Sequence, residues 1–186
     1  MQDEINKAFH VLQRGGIIVY PTDTIWGIGC DANNAEAIKK IYNLKQREDS
    51  KALICLVADD RMLKKHVKKV PEVAINIIDI TDKPTTIIYD EAQNLATNLI
   101  ADDGSIAIRI PDDEFCYQLC RKFNSAIVST SANISGERTP KSFKELSSAI
   151  LKDVDYVVNL QSEKTTIKPS TIIKINSDGL VTVIRE

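Results

Sequence analysis

The sequence predicts a mixed α/β fold, a twisted sheet of parallel and antiparallel strands with flanking helices, and three observations carry that expectation. Short β-rich apolar runs bounded by Gly, Pro or polar residues alternate with amphipathic stretches of helical period. The 186 residues are 43% hydrophobic and 27% charged, which is enough for one sizeable core. No repeat, low-complexity tract or long linker divides them, so residues 1–186 are expected to form one domain.

The elements follow in order. Residues 4–14 place Ile5, Phe9 and Leu12 on one helical face and stop at Gly15-Gly16. Ile17-Ile18-Val19-Tyr20 reads as a buried strand that runs into Pro21-Thr22-Asp23-Thr24, after which Gly27 and Gly29 mark a turn or a close backbone approach. Ala37, Ile38, Ile41 and Leu44 give a helix over 34–44, and residues 53–57 a second strand. Residues 59–70 are expected to be helical, with Leu63, Val67 and Val70 on one face and Arg61, Lys64, Lys65 and Lys68 on the other; such a stripe is ordinarily a solvated face.

Strands are expected at 85–89 and 105–110, the latter with Ile106, Ile108 and Ile110 on one side and Ala107 and Arg109 on the other. A helix over 112–123 with Asp112 as its cap leads to a core strand at 126–128, which ends in Ser129-Thr130-Ser131-Ala132-Asn133. Residues 141–151 read as helix and 156–158 as strand. Strands 171–175 and 180–184 flank a hairpin turn at 176–179.

Composition narrows the function classes. A formal charge of −2 gives no global attraction to nucleic acid, so RNA contact would need a local basic patch. Cys30, Cys55, Cys116 and Cys120 lack paired zinc-ligand spacing, with only His10 and His66 to help; buried thiols are expected instead of a metal site. The first residues lack a basic-then-apolar leader and no stretch reaches membrane-span length, so a cytoplasmic protein is expected.

Four polar clusters at the ends of apolar runs are the candidate site: the Pro-Thr-Asp-Thr segment, Lys45-Gln46-Arg47, the Ser129 to Asn133 run, and Pro169-Ser170-Thr171. Lys45 and Arg47, one residue apart, would present a point charge beside a planar fork, suited to polyphosphate; alternatively they complement a helix dipole. Ser129 to Asn133 offers hydroxyls and successive backbone amides able to form an anion-holding nest, or an ordinary turn. Arg109 on an Ile/Ala strand would need a carboxylate or phosphate partner if that face is covered. Neither a Gly-x-Ser-x-Gly elbow nor a GxxxxGK[ST] loop is present, so an enzyme of this sequence would orient substrates that react with each other.

The segments YPTDTIWGIGCDA (20–32), LKQR (44–47), SIAIRIP (105–111), STSANISGE (129–137) and PSTII (169–173) resemble, in order, the signatures of the YrdC family, in a length like its short form. The resemblance implies a YrdC-like domain and a threonylcarbamoyl-AMP synthase, joining L-threonine, bicarbonate and ATP with release of pyrophosphate for threonylcarbamoyladenosine modification of tRNA. It implies that Lys45, Arg47, Ser131 and Asn133 act in catalysis, and that Arg47, Lys51, Arg109, Ser131 and Asn133 hold ATP. Thr24 and Ser170 would hold threonine. Mg2+ is expected with the triphosphate, and downstream tRNA threonylcarbamoyl-transfer proteins as partners.

Asp82-Lys83-Pro84-Thr85-Thr86 stands where many relatives carry Trp-Pro-Gly-Pro, Arg47 precedes Glu48 where a proline often follows, and Trp26 replaces a common tyrosine. A competing reading is a tRNA- or double-stranded-RNA-binding protein without synthase activity, using the Arg61 to Lys68 stripe. A third is an adenylating domain for another carbamoyl acceptor.

Overall fold

The computed structural model describes residues 1–46, 53–160 and 169–186. The helices are α1 (Gln2–Gln13), α2 (Ala35–Leu44), α3 (Asp60–His66), α4 (Glu72–Ile80), α5 (Glu114–Phe123) and α6 (Ser148–Asp153). The strands are β1 (Ile18–Tyr20), β2 (Gly27–Gly29), β3 (Ile54–Leu56), β4 (Thr85–Tyr89), β5 (Ile106–Arg109), β6 (Ile127–Ser131), β7 (Tyr156–Val157), β8 (Thr171–Ile175) and β9 (Val181–Arg185). They form one sheet in the order β7-β1-β2-β6-β3-β5-β4-β8-β9. Pairs β1–β7, β3–β5 and β4–β8 are parallel and the others antiparallel, as the mixed reading expects.

Most expected elements are present, and the differences have local causes. Gly27 and Gly29 lie inside β2, between β1 and β6, and not in a turn. The close approach is real: a Cβ on Gly29 would stand 2.8 Å from the Tyr20 ring and 2.5 Å from the Val128 carbonyl. The helix expected over 59–70 stops at His66, because Val67 turns extended and bridges Ala92. A further helix, α4, then starts after Pro71. Its apolar residues surround the axis instead of marking one face, only Ala74 is buried, and Ile80 is 82% exposed, so periodicity could not reveal it.

The cap of α5 is Asp113, whose carboxylate accepts the Cys116 amide, rather than Asp112. The 141–151 helix divides into a 3-10 turn at 143–145 and α6. On β5 the alternation holds: Ile106 and Ile108 join the buried core, which also takes in Cys55, Ile87, Val128 and Ile173 from neighbouring strands. Arg109 and Ala107 take the opposite side.

Candidate active site

That opposite side is the floor of a cleft. Strand register aligns Gly27 with Ser131, Ser129 with Ile54, Ile54 with Ala107, Ala107 with Ile88 and Ile172 with Arg185, so these side chains share one face of the sheet. All of them line a cavity of about 290 Å³. Thr22, Thr24, Thr139 and Ser170 complete its hydroxyl-rich walls, and Arg109 and Arg185 supply its cationic groups among the described residues.

Each wall has a local cause. Thr22 ends the chain's exit from β1 in a tight turn: its Oγ1 accepts the amides of Thr24 (3.1 Å) and Ile25 (3.2 Å) and donates to the Ile25 carbonyl (2.7 Å). The Thr24 hydroxyl then lies 3.0 Å from that of Thr22, both buried at the cleft. Arg109 Nη1 donates to Asp23 Oδ1 at 2.5 Å, with the two side chains only 5% and 6% exposed. This is the carboxylate that a guanidinium on a covered face requires. Its Nε is covered and has no acceptor, an unmet donor of the kind that functional sites retain.

On the far wall, the Ser170 and Thr86 hydroxyls share a buried hydrogen bond of 2.7 Å. Arg185 Nη2 donates to the Ser170 carbonyl at 2.7 Å. Arg185 reaches this side through a bulge: Val183 pairs with Ile173 but Arg185 pairs with Ile172, so Ile184 is an extra residue and the strand's alternation reverses. In an unbroken strand Arg185 would point to the side of Val183.

Lys45 is 1% exposed, behind the cleft rather than in its lining. Its Nζ donates to the carbonyls of Ser131 (2.5 Å) and Asn133 (2.6 Å), while its own carbonyl accepts the Ser135 amide at 2.9 Å. It thus ties the end of α2 to the loop after β6. Asn133 also faces into that loop, with Nδ2 donating to the carbonyls of Ile134 (3.0 Å) and Glu137 (2.8 Å); its Oδ1 is covered and without an acceptor bond. The expected amide nest is largely used up, since the amides of Ala132, Asn133 and Ser135 are bonded to Trp26, Ser131 and Lys45. The loop offers Ser129, Thr130 and Ser131 hydroxyls to the cleft instead.

The structure therefore brings Thr24, Arg109, Ser131 and Ser170 to one cavity and sets Lys45 and Asn133 directly behind it. Arg47 and Lys51 lie outside the described residues. The candidate clusters already contained Thr22, Asp23 and Ser129, though with no individual role; nothing along the chain pointed to Arg185, which only the bulge brings in. The helix stripe is elsewhere: Lys64 pairs with Asp60 at 3.0 Å and Lys65 bonds Asn124 at 3.0 Å, as for a solvated face.

A second cavity, about 440 Å³, lies beyond Asp23 and is walled by residues 81–85 and 110–112. It is larger, but among the described residues Asp23, Asp82 and Asp112 line it with Lys83 as the one cation, so phosphate chemistry fits the smaller cleft better. All four cysteines are buried thiols; burial pushes their pKa up, Cys120 to about 12, which removes them as thiolate nucleophiles at neutral pH. Among the described residues no helix is long and apolar enough to cross a membrane, and no group of three or more His, Cys, Asp or Glu side chains could hold a metal.

A mixed sheet whose polar face brings two arginines and several hydroxyls together from distant segments defines an α/β protein with a pocket suited to a small anionic ligand. More specifically, residues 10–186 match the Sua5_yciO_yrdC family, described as Telomere recombination, and the chain belongs to that family. A Methanocaldococcus jannaschii protein is 36% identical over 98% of this chain and 87% of its own length. The threonylcarbamoyl-AMP synthase of Idiomarina loihiensis is 31% identical over 90% of this chain and 91% of its own. The structure of E. coli YciO superposes with a TM-score of 0.85 at 24% identity, over all of this chain and 90% of that one. P. abyssi Sua5 complexed with L-threonine also gives 0.85, at 23% identity over 94% of this chain; the chain spans about half of that structure's length, 51%.

Proposed function

We propose that this chain is an L-threonylcarbamoyl-AMP synthase, acting as a single domain over residues 1–186 on L-threonine, bicarbonate and ATP. The observation that carries the reading is the meeting of Thr24, Arg109, Ser131 and Ser170 in one 290 Å³ cleft, supported by relatives of that name matching nearly full length. The threonine amine forms an N–C bond to bicarbonate carbon as a C–O bond breaks and water leaves, giving a carbamate whose oxygen attacks the α-phosphorus of ATP. The new O–P bond forms as the bond to the β-phosphate bridging oxygen breaks and pyrophosphate leaves. No enzyme nucleophile is required, and the protein's work is orientation and charge neutralisation.

In this reading Arg109 and Arg185 neutralise carboxylate and phosphate oxygens from opposite walls. Thr24 and Ser170 hold the amino acid, and Ser131 contacts the nucleotide. Lys45 and Asn133 act from behind, by shaping the loop that presents Ser131; Arg47 and Lys51 are proposed for the triphosphate. Among the described residues the carboxylate close to the cleft, Asp23, is already paired, so Mg2+ fits as the counter-ion that the triphosphate brings with it. The labile adenylate would be consumed by tRNA threonylcarbamoyl-transfer proteins in the cytoplasm. Purified protein given ATP, bicarbonate and threonine is expected to release pyrophosphate in a threonine-dependent manner; folded protein without that turnover refutes the proposal.

A further inference from the structure

The triplet Thr22-Asp23-Thr24 faces two ways. Thr22 and Thr24 line the proposed reaction cleft, while Asp23 between them lines the neighbouring cavity. The Asp23 carboxylate reaches back under the turn to one stretch of chain. Its Oδ1 accepts Arg109 Nη1 at the end of β5, and its Oδ2 accepts the amide of Asp112, three residues on, at 3.3 Å.

Two constraints follow from those bonds. A guanidinium held through one Nη by a carboxylate that is itself 6% exposed cannot turn about its long axis without losing a charge-assisted bond in a poorly solvated place, so the edge it presents to the cleft is set. The same carboxylate also sets the distance between the Thr22–Thr24 turn and the end of β5, two walls that nothing in the local sequence would keep together. A reaction between two bound substrates is sensitive to displacements of about 1 Å.

We infer that Asp23 is a positioning residue, which orients Arg109 toward the anionic groups of the substrates and keeps the amino-acid wall in register with the charge-neutralising one. The inference rests on the synthase reading. Asp23 touches no reacting atom; it acts through Arg109.

The test compares wild type, Asp23→Asn, Arg109→Lys and the double variant. Pyrophosphate release gives kcat and KM for threonine and ATP, and calorimetric titration with ATP gives affinity independently of turnover. Asp23→Asn is expected to lower kcat/KM at least about tenfold in the wild-type background. In the Arg109→Lys background it should change kcat/KM by no more than about twofold, because residues acting as a unit are not additive. Equal losses in both backgrounds, or an Asp23→Asn protein within about twofold of wild type, overturn the inference.

If Asp23→Asn does not fold, Asp23→Glu, which keeps the charge and moves the carboxylate by one methylene, takes its place in the same comparison. Should wild type bind ATP without turning over threonine, the synthase reading falls. Asp23 is then judged by the ATP affinities: coupling to Arg109 keeps its positioning role, and independence removes it.

Discussion

On one wall of the cleft Arg109 and Asp23, 5% and 6% exposed, form an ion pair inside the fold. On the other, Ser170 is held by the neutral hydroxyl of Thr86 and by Arg185 on β9, a strand exposed along its whole length with Val183 at 58% and Ile184 at 56%. The first wall is bound by charge where little water reaches to screen it, so removing one partner costs more than a neutral hydrogen bond. The second rests on a neutral hydroxyl pair worth about 1 kcal/mol and on one bond from the Arg185 guanidinium, carried by an exposed edge strand. An ion pair inside the fold thus faces a wall whose cation, Arg185, is held from the exposed edge of the sheet.

The sharpest way to break this contrast is Arg109→Ala. It leaves the Asp23 carboxylate buried and unpaired, and is expected to cost about 3–5 kcal/mol of stability along with most of the turnover. Urea denaturation measures the first and pyrophosphate release the second. A loss of turnover at unchanged stability would show that the ion pair does not hold that wall.

Arg185→Ala tests the other wall and should separate the two properties. Turnover is expected to fall at least about tenfold, as for other removed electrostatic donors, while stability changes by no more than about 1 kcal/mol because β9 buries so little. A destabilisation as large as that of Arg109→Ala would erase the distinction between the walls.

The smallest effect lies outside both walls and serves as their control. Burial lowers the pKa of His66, whose Nε2 is covered and unpartnered while Nδ1 faces the Asn94 carbonyl at 3.2 Å. The folded chain therefore binds this proton less readily than the unfolded chain, whose histidine titrates near pH ~6.5. Stability from the neutral ring is present above that pH and declines as pH falls toward the lowered folded value. Melting temperature should drop over that range in wild type and drop less in His66→Asn; identical pH profiles would contradict the assignment.

Much of this was legible along the chain. The alternation of Ile106, Ala107, Ile108 and Arg109 told which side Arg109 takes, and its isolation among apolar residues announced the need for an anionic partner. The recognised segments contained Thr24, Ser131 and Ser170, all of which line the cleft. Other features were hidden for physical reasons. α4 lacks a single apolar face to betray it, and of the two readings of Gly27 and Gly29, a turn or a close backbone approach, only strand pairing selects the second, which presses them against Ser129 and Tyr20. Of the two readings of the run after β6, an amide nest or an ordinary turn, local sequence could not choose, because Lys45, 86 residues away from Ser131, gathers the loop's carbonyls while Trp26 and Lys45 take up its amides.

By itself the sequence determined the mixed α/β class, most of the strands and helices, and the side chains fit to meet an anionic ligand, since all of these follow from local period, turn chemistry and residue type. Tertiary structure alone decided that Asp23 pairs with Arg109, that Lys45 stands behind the cleft and not in it, and that a one-residue bulge carries Arg185 onto the working face. Those outcomes depend on which distant strands adjoin and in what register, and a one-residue slip of register, invisible to any local pattern, reverses the side on which a side chain falls.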